Sequence, residues 1–305
     1  MKLYLAPMEA LTGYIFRNVY NRYFGDADRY FTPFIASRKL NSKEKNDVLP
    51  EHNQNMDVIP QILTNKSEEF CYIASRLKEY YGYEEVNLNL GCPSGTVVAK
   101  NRGSGFLAVP DELNRFFEEV FSRTDIRISV KTRTGVENNE NWENILKIYN
   151  EYPISELIIH PRCRKDGYGG KPNLEDFKKA VLISRHSLCY NGDINSVEDY
   201  NAITKEFPTV DKIMCGRGIF MNPGLFSEIK GSRKASPETL YNFANDLYKG
   251  YKEIMSGDRN VLFKLKEFWI YFSKNFEEPD KVLKMVRKAD TCIQYEVAVG
   301  RIFGI

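Results

Sequence analysis

The sequence predicts an eight-stranded parallel α/β barrel of the TIM type, followed by a small all-helical segment. Eight short apolar or alternating runs recur up to about residue 215, and amphipathic segments of helical period lie between most of them. A polar linker rich in structure breakers, residues 231–237, then precedes a stretch that shows helical periodicity alone. We therefore expect a barrel domain over residues 1–231 and a helical domain over residues 232–305.

The eight runs are typical of short strands that are bounded by turn residues. They are Lys2–Ala6, Arg29–Phe34, Val58–Leu63, Glu85–Leu90, Arg127–Lys131, Glu156–His160, Leu188–Asn191 and Lys212–Cys215. Strands and helices that alternate in this number favour one closed parallel sheet with its helices outside.

Capping patterns mark where several of the intervening helices begin. These patterns are Asn65 with Glu68, Asp111 after Pro110, and Ser196 with Asp199. In the tail, four large apolar residues share one helical face and predict a buried helix: Leu262, Leu265, Trp269 and Phe272.

Composition indicates a cytoplasmic protein. The six cysteines contain no C-x-x-C pair and there are three histidines, so neither a disulfide framework nor a metal site is expected. No apolar run has the length of a signal-peptide core or a membrane span. The chain has 43 Lys and Arg against 41 Asp and Glu. This net charge of +2 is too small to indicate a nucleic-acid-binding protein by itself.

The stretch from Val86 to Gly105 is the centre of the predicted site. Alternation in Glu85–Leu90 stops at Gly91-Cys92-Pro93, where the strand gives way to a loop punctuated by glycine. A lone cysteine is more often a small buried apolar residue, but its place at a strand end makes Cys92 the candidate reacting group.

Polar groups stand at most of the other strand ends, and a barrel brings these ends together on one face. The residues at these ends are Pro7-Met8, which are apolar, and the polar Gln61, Asn89, Lys131, His160 with Arg162, Asn191-Gly192-Asp193 and Gly216-Arg217. Each has an ordinary structural explanation, but their joint placement indicates an active site.

The glycine-containing ends of the seventh and eighth strands favour phosphate binding. Glycine lets backbone N–H groups approach a phosphate, and Arg217 can add a charged hydrogen bond. Lys131 and Gln61 suit a planar ring with an electron-rich edge, so the residues indicate a cradle for flavin mononucleotide (FMN). The G-x-G-x-x-A match at residues 103–108 follows a loop rather than a strand, so we do not interpret it as a dinucleotide-binding fold.

With these residues in view, the chain resembles the bacterial-type tRNA-dihydrouridine synthases throughout the barrel. The matching blocks are Ala6-Pro7-Met8 with Thr12, Phe16 and Arg17; Pro60-Gln61; Asn87–Pro93 with Val97, Lys100 and Gly103-Ser104-Gly105; Lys131–Gly135; His160-Pro161-Arg162 with Tyr168 and Gly170; Asn191-Gly192-Asp193; and Gly216-Arg217-Gly218. The N-x-G-C-P block is highly specific, and the other blocks occur in the family's order.

The resemblance implies a reaction and a set of roles. NADPH would reduce FMN, which would pass a hydride to C6 of a uridine in tRNA while Cys92 protonates C5. Gln61 and the backbone of Pro7 and Met8 would bond the edge of the flavin ring, and Lys131 would stabilise the negative charge of the reduced flavin. Asn89 and Arg162 would bind the substrate. The FMN side chain and phosphate would be held by His160, Asn191, Gly192, Asp193, Gly216 and Arg217. The uridine must leave its stack to reach a flavin at the barrel mouth.

The tail is similar to the family only as a helical domain, with Leu265–Trp269 resembling a subgroup that modifies the D-loop. Lys281, Lys284 and Lys288 recur along one helical face, which predicts contact with tRNA phosphates, while Val282, Met285, Ala289 and Ile293 would pack inward. An ordinary solvated face is the alternative for the lysines. We expect a monomer.

Three other functions stay open at this stage. A flavin barrel that acts on a free pyrimidine would share FMN and a cysteine acid but would need no helical appendage. A catalytically inactive RNA-binding module is disfavoured by the presence of both Cys92 and Lys131. A phosphate-binding sugar isomerase explains the glycine loops but not Gln61 or Cys92.

Overall fold

Eight parallel strands close into a barrel in the order of the sequence, as predicted, in a computed structural model that describes all 305 residues. The strands are β1 (Lys2–Leu5), β2 (Arg29–Ile35), β3 (Val58–Ile62), β4 (Glu85–Leu90), β5 (Arg127–Gly135), β6 (Leu157–Cys163), β7 (Leu188–Tyr190) and β8 (Lys212–Cys215). β1 pairs with β8 and completes the ring. The carboxyl ends of all eight strands therefore share one face.

Fourteen α-helices accompany the strands, and the first ten belong to the barrel region. They are α1 (Tyr14–Tyr23), α2 (Ser42–Val48), α3 (Ser67–Tyr81), α4 (Gly95–Val98), α5 (Pro110–Arg123), α6 (Trp142–Asn150), α7 (Leu174–Ile183), α8 (Val197–Glu206), α9 (Arg217–Met221) and α10 (Leu225–Ile229). Short 3₁₀ turns cover Pro50–His52 and Gly103–Ala108. None of the helices combines the length and the apolar character needed to span a membrane.

β5 and β6 extend past the strand ends that the sequence indicated. Arg133 pairs with His160 and Gly135 with Cys163, with a register shift between the two pairs. The sequence-based ends at Lys131 and His160 were too early because the following residues are polar, although they lie inside the protein. Lys131 and His160 therefore project from within strands, which hold them more rigidly than a loop would.

The predicted helix starts have different outcomes. Ser196 caps α8 by accepting a hydrogen bond from the backbone N–H of Asp199, as predicted. The start predicted at Asn65 is wrong, because α3 begins at Ser67 without a side-chain cap. The Asn65 amide instead donates to the carbonyl of Lys100 at 3.1 Å.

The tail is helical throughout. It contains α11 (Pro237–Ile254), α12 (Asp258–Phe272), a 3₁₀ turn (Ser273–Asn275), α13 (Pro279–Arg287) and α14 (Cys292–Phe303). The four apolar residues predicted to share a face of α12 are all buried, and α11 packs against α1 of the barrel. Lys264 of α12 donates to the carbonyl of Ala10 at 2.7 Å and so attaches the tail to the loop after β1.

The inward face predicted around α13 is partly wrong. Val282 and Ala289 are buried, but Ile293 is 72% exposed. The reason is that α13 ends at Arg287 and a new helix begins at Cys292, so Ile293 lies on a different helix. Val286 is fully buried in its place.

Candidate active site

A cavity of about 430 Å³ opens at the carboxyl ends of the strands and contains Cys92 in its wall. A smaller cavity of about 60 Å³ adjoins it on the side of β7 and β8. Both cavities are lined by Pro7, Met8, Lys131, His160 and Tyr168. The two spaces therefore form one elongated site with a wide end and a narrow end.

The loop that carries Cys92 is held from two sides. The side-chain oxygen of Asn89 accepts hydrogen bonds from the backbone N–H groups of Gly91 at 3.0 Å and Cys92 at 2.9 Å. From the other side, the Ser104 hydroxyl donates to the carbonyl of Cys92 at 2.8 Å. The backbone at Cys92 is thus fixed by groups from β4 and from the turn Gly103–Ala108.

The thiol of Cys92 is half-buried and remains protonated. Burial raises its pKa, and the nearby carboxylate of Glu9 acts in the same direction. The charges of Lys131 and Arg133 oppose this effect but do not outweigh it. A thiol held in this state can donate a proton, and it is a poor metal ligand or nucleophile at neutral pH.

Gln61 and Asn89 form part of a polar network across β3, β4 and β5. The Gln61 amide nitrogen donates to Asn87 at 2.8 Å, and the Gln61 oxygen accepts from the Asn89 amide at 2.7 Å. Asn87 donates in turn to Ser129 at 3.0 Å. Both predicted residues line the wide cavity, and their rotamers are fixed by this network.

Lys131 projects from β5 into the space between the two cavities. Burial lowers its pKa to about 8, with a further contribution from the neighbouring Arg133. Its ammonium group makes no hydrogen bond within the protein, and no carboxylate lies within ion-pair distance. A buried cation without a partner is costly unless a ligand supplies an acceptor.

His160 is neutral in this setting. Burial lowers its pKa well below the ordinary value, and four surrounding cations add to the effect. Its Nε2 lies 3.1 Å from Nη1 of Arg162, and a guanidinium can only donate. The ring proton is therefore on Nδ1, which has no acceptor within the protein.

Arg162 does not reach the pocket surface. It is 1% exposed, and besides His160 it donates to the carbonyls of Gly169 and Gly170 and to both carboxylate oxygens of Asp193. In this arrangement Arg162 lines neither of the two cavities. Arg162 instead fixes the loop after β6 and the carboxylate of Asp193.

Asp193 lies behind Arg217 at the narrow cavity. The Asp193 carboxylate accepts from Arg217 Nη2 at 2.6 Å and from Arg162 at 2.6 and 3.0 Å. Burial alone would raise the pKa of Asp193, but the two arginines outweigh it and lower that pKa. One of the two positive charges remains uncompensated, and the other guanidinium nitrogens of Arg217 are free to bind an anion.

The remaining predicted cofactor residues surround the same narrow cavity. Asn191, Gly192 and Gly216 line it, and the Asn191 amide also donates to the carbonyl of Met214 at 2.8 Å. The backbone N–H of Met8 already donates to the Thr12 hydroxyl at 2.8 Å, so this group is not free to bind a ring edge. Pro7 and Met8 therefore contribute an apolar wall.

Sequence reasoning missed several residues of the wall. α12 contributes Glu267, Ile270 and Tyr271 to the wide cavity. The side chain of Glu267 makes no hydrogen bond, and one of its oxygens is buried. Tyr168 belongs to one of the sequence blocks that match the family, but it was not predicted to line the site. The centre of its ring lies 4.5 Å from the guanidinium carbon of Arg217.

The tail lysines lie outside the two cavities. Lys281, Lys284 and Lys288 are exposed, as a phosphate-binding face requires, and Lys288 follows the last residue of α13. Lys281 pairs with Glu278 at 2.7 Å.

The chain's own groups fit the FMN that the residues predicted. The wide cavity offers the free ammonium of Lys131 to a polar ring edge, and Gln61, held by Asn87 and Asn89, lines the same wall. The narrow cavity offers the Nδ1–H of His160 and the unused donors of Arg217 to a phosphorylated side chain. Both ends thus present donors that lack a partner within the protein.

A closed barrel with this site at the carboxyl ends of its strands defines the class of α/β-barrel oxidoreductases. Within that class, the chain belongs to the dihydrouridine synthase family, because the model of that family, described as "Dihydrouridine synthase (Dus)", matches residues 4–289.

Curated relatives agree with this assignment. The chain is 28% identical over 227 residues to tRNA-dihydrouridine synthase B of Pasteurella multocida (strain Pm70), which covers 74% of the chain and 68% of the relative. It is 25% identical over 277 residues to probable tRNA-dihydrouridine synthase 1 of Synechocystis sp. (strain ATCC 27184 / PCC 6803 / Kazusa), covering 86% and 78%.

Solved structures show the same fold. Morphinone reductase superposes with a TM-score of 0.54 at 12% identity, covering 78% of the chain and 88% of that protein. The old yellow enzyme homologue from Zymomonas mobilis gives a TM-score of 0.53 at 13% identity, covering 78% and 91%.

Proposed function

We propose that the protein is a flavin-dependent tRNA-dihydrouridine synthase, which reduces the C5–C6 double bond of a uridine, in the D-loop, to 5,6-dihydrouridine. One observation carries the proposal: the protonated thiol of Cys92 and the unpartnered ammonium of Lys131 line one cavity in a member of this family. The names of the relatives support tRNA as the substrate.

Different residues of the chain have different roles in the proposed reaction. Bound FMN, once reduced by NADPH, would supply the hydride for C6 of the uracil. Cys92 donates its thiol proton to C5, and the resulting thiolate regains a proton from solvent. Asn89 fixes the loop that presents this thiol and, we propose, also orients the uracil. Lys131 supplies a positive hydrogen-bond donor to the electron-rich edge of the flavin.

The division of labour between the two parts of the chain is also a proposal. Residues 1–231 would form the catalytic barrel and residues 232–305 the tRNA-binding domain. The position of α12 supports this division, since Glu267, Ile270 and Tyr271 form part of the cavity wall.

We also propose NADPH as the reductant, the monomer as the working state and the cytoplasm as the location. All six cysteines are free, which supports a reducing compartment. The choice of NADPH rests on the resemblance to the family.

Replacing Cys92 with Ala tests the proposed function. The variant should bind FMN and oxidise NADPH at nearly the normal rate, because the thiol takes no part in flavin reduction. Dihydrouridine formation in tRNA should fall by about 100-fold or more, as expected for the loss of a general acid. Mass spectrometry of digested tRNA measures the product.

Cys71→Ala is the matched control, since Cys71 is also a half-buried free thiol but lies on α3 outside the cavity. It should behave as the wild type. Equal tRNA reduction by Cys92→Ala and the wild type would remove Cys92 from the mechanism.

A further inference from the structure

A second concave surface lies on the outside of the barrel, between α2, α3 and the loop after β2. It encloses about 480 Å³. Four of the nine side chains that line it are cations, namely Arg38, Lys39, Lys45 and Arg76, and none is acidic. We call this surface the α2–α3 groove. Four like charges around one depression repel each other, so the groove favours an anionic occupant.

Most of this positive charge is not neutralised within the protein. Only Arg38 has a carboxylate partner, Glu68 at 3.5 Å, and both side chains are more than half exposed. Such a pair contributes little and exchanges readily with another anion. Lys39, Lys45 and Arg76 are exposed and have no carboxylate within ion-pair distance.

Aromatic rings accompany the cations. The Arg76 guanidinium lies 3.7 Å from the ring centre of Tyr80, and the Arg38 guanidinium lies 5.5 Å from that of Tyr72. Tyr72 and Tyr80 are 42% and 61% exposed. Flat guanidinium groups beside exposed rings suit a polymer that alternates phosphates with ribose and base faces, rather than an acidic peptide.

The groove is connected to the active site through the loop after β2. Pro33 and Phe34 at the end of β2 line the catalytic cavity, and Arg38 follows in the same loop. Arg102, from the loop that follows Cys92, donates to the carbonyl of Ala36 at 3.3 Å and joins the two loops. A chain with one nucleotide in the cavity can therefore continue toward the groove along this side of the barrel.

We propose that the α2–α3 groove binds the ribose-phosphate backbone of the tRNA substrate at a distance from the uridine that is reduced. This inference rests on the proposed function, which makes tRNA the substrate. It assigns part of the tRNA affinity to the flank of the barrel rather than to the helical tail alone.

The test replaces three cations together, as Lys39→Glu, Lys45→Glu and Arg76→Glu. The equilibrium dissociation constant for tRNA should rise at least tenfold, and the slope of log affinity against log salt should become shallower by about two to three units, because three phosphate contacts are lost. Flavin content and NADPH oxidation should stay unchanged, since none of the three residues lines the catalytic cavity.

A charge-matched control carries Lys147→Glu, Lys178→Glu and Lys205→Glu. These lysines are exposed, without ion-pair partners, and lie on α6, α7 and α8 across the ring from α2 and α3. If the control weakens tRNA binding as much as the groove variant does, only net charge matters and the proposal fails. A milder groove variant with Gln at the same three positions guards against misfolding and should show the same direction of change.

Two measurements separate this proposal from the proposed function. If the wild type binds tRNA but forms no dihydrouridine, the proposed function fails, while the groove is still judged by binding. If the wild type forms dihydrouridine and the groove variant binds tRNA with wild-type affinity and salt slope, the groove proposal is overturned and the proposed function stands.

Discussion

At the scale of single residues, the site contains more positively charged side chains than carboxylates that could pair with them. Burial lowers the pKa of His160 and keeps the ring neutral, and Lys131, Arg133, Arg162 and Arg217 add to this effect, whereas Asp193 compensates only part of their charge. A site with surplus positive charge and a neutral imidazole binds phosphate without competing for protons near neutral pH. The pKa of Lys131 is the most informative consequence, because it lies close to the working pH.

Lys131 predicts a pH dependence of FMN binding. In the free protein its pKa is about 8, and an acceptor placed beside it raises that pKa. The favourable contribution is therefore complete below about pH 8 and is lost as the pH rises through the pKa of the bound state. FMN dissociation constants measured by fluorescence on both sides of pH 8 should show weaker binding on the alkaline side.

The variant Lys131→Met should lose this pH dependence and should lower the reduction potential of bound FMN. A hydrogen bond from a charged donor contributes about 1.5–3 kcal/mol, which corresponds to about 30–60 mV for a two-electron couple. Lys100→Met is the control, since Lys100 is exposed and lies outside the cavity. An unchanged potential in Lys131→Met would place the ammonium away from the flavin ring.

At the scale of elements, the turn Gly103–Ala108 acts as a support for the Cys92 loop. The backbone N–H and the hydroxyl of Ser104 both bind the Cys92 carbonyl. Gly103 has a φ of +56°, and a Cβ there would lie 2.9 Å from the Cys92 carbonyl oxygen and 3.0 Å from the Cys92 Cβ. The glycine-rich motif thus serves to position a thiol, and it does not bind a dinucleotide.

Replacing Gly103 with Ala should displace the Cys92 loop. The left-handed backbone and the two close contacts should lower the free energy of unfolding by about 1–3 kcal/mol, measured by urea denaturation. Dihydrouridine formation should fall further than NADPH oxidation does, because only the former needs the thiol in place.

The matched control is Gly95→Ala on α4 in the same region, where a Cβ would meet no atom within 4 Å. It should leave both stability and activity near the wild-type values. If Gly103→Ala also leaves stability and activity near the wild-type values, the turn does not control the position of Cys92.

Features that depend on local periodicity were predictable from the sequence, and those that depend on packing between distant segments were not. The eight strands and the convergence of Cys92, Lys131 and His160 follow from alternation and from the geometry of a closed barrel. Glu267 and Tyr271 enter the cavity only because α12 packs over the barrel mouth, and no local pattern encodes that contact.

Two errors had a readable local signal. The break between α13 and α14 is marked by Thr291, whose side chain accepts from the backbone N–H of Gln294, a capping pattern visible in the sequence. The end of β5 was placed too early because the polar residue Arg133 comes two positions after Lys131. Arg133 is nevertheless buried, and its guanidinium group donates to three backbone carbonyls. No local sequence pattern indicates that Arg162 points into the protein, because its position depends on Asp193, which lies at the end of another strand.

At the scale of the whole molecule, two positively charged surfaces lie outside the catalytic cavity. The α2–α3 groove is on the barrel flank, and Lys281, Lys284 and Lys288 are on the helical tail. The net charge of +2 is too small for attraction by the whole molecule, so any affinity for tRNA must come from such local surfaces. The two surfaces make separate predictions.

The tail surface predicts a salt effect of its own. Changing Lys281, Lys284 and Lys288 to Glu should remove phosphate contacts that are each worth somewhat less than one unit of the salt slope, since the exposed pair of Lys281 with Glu278 exchanges readily with another anion. The slope of log tRNA affinity against log salt should become shallower by about two units, and the KM for tRNA should rise severalfold, with flavin content and NADPH oxidation unchanged. If tRNA spans both surfaces, combining these changes with those of the groove should add their effects on the free energy of binding, because the two sets share no contact. A tail variant with wild-type affinity and slope would mean that the helical segment shapes the entrance without holding the RNA backbone.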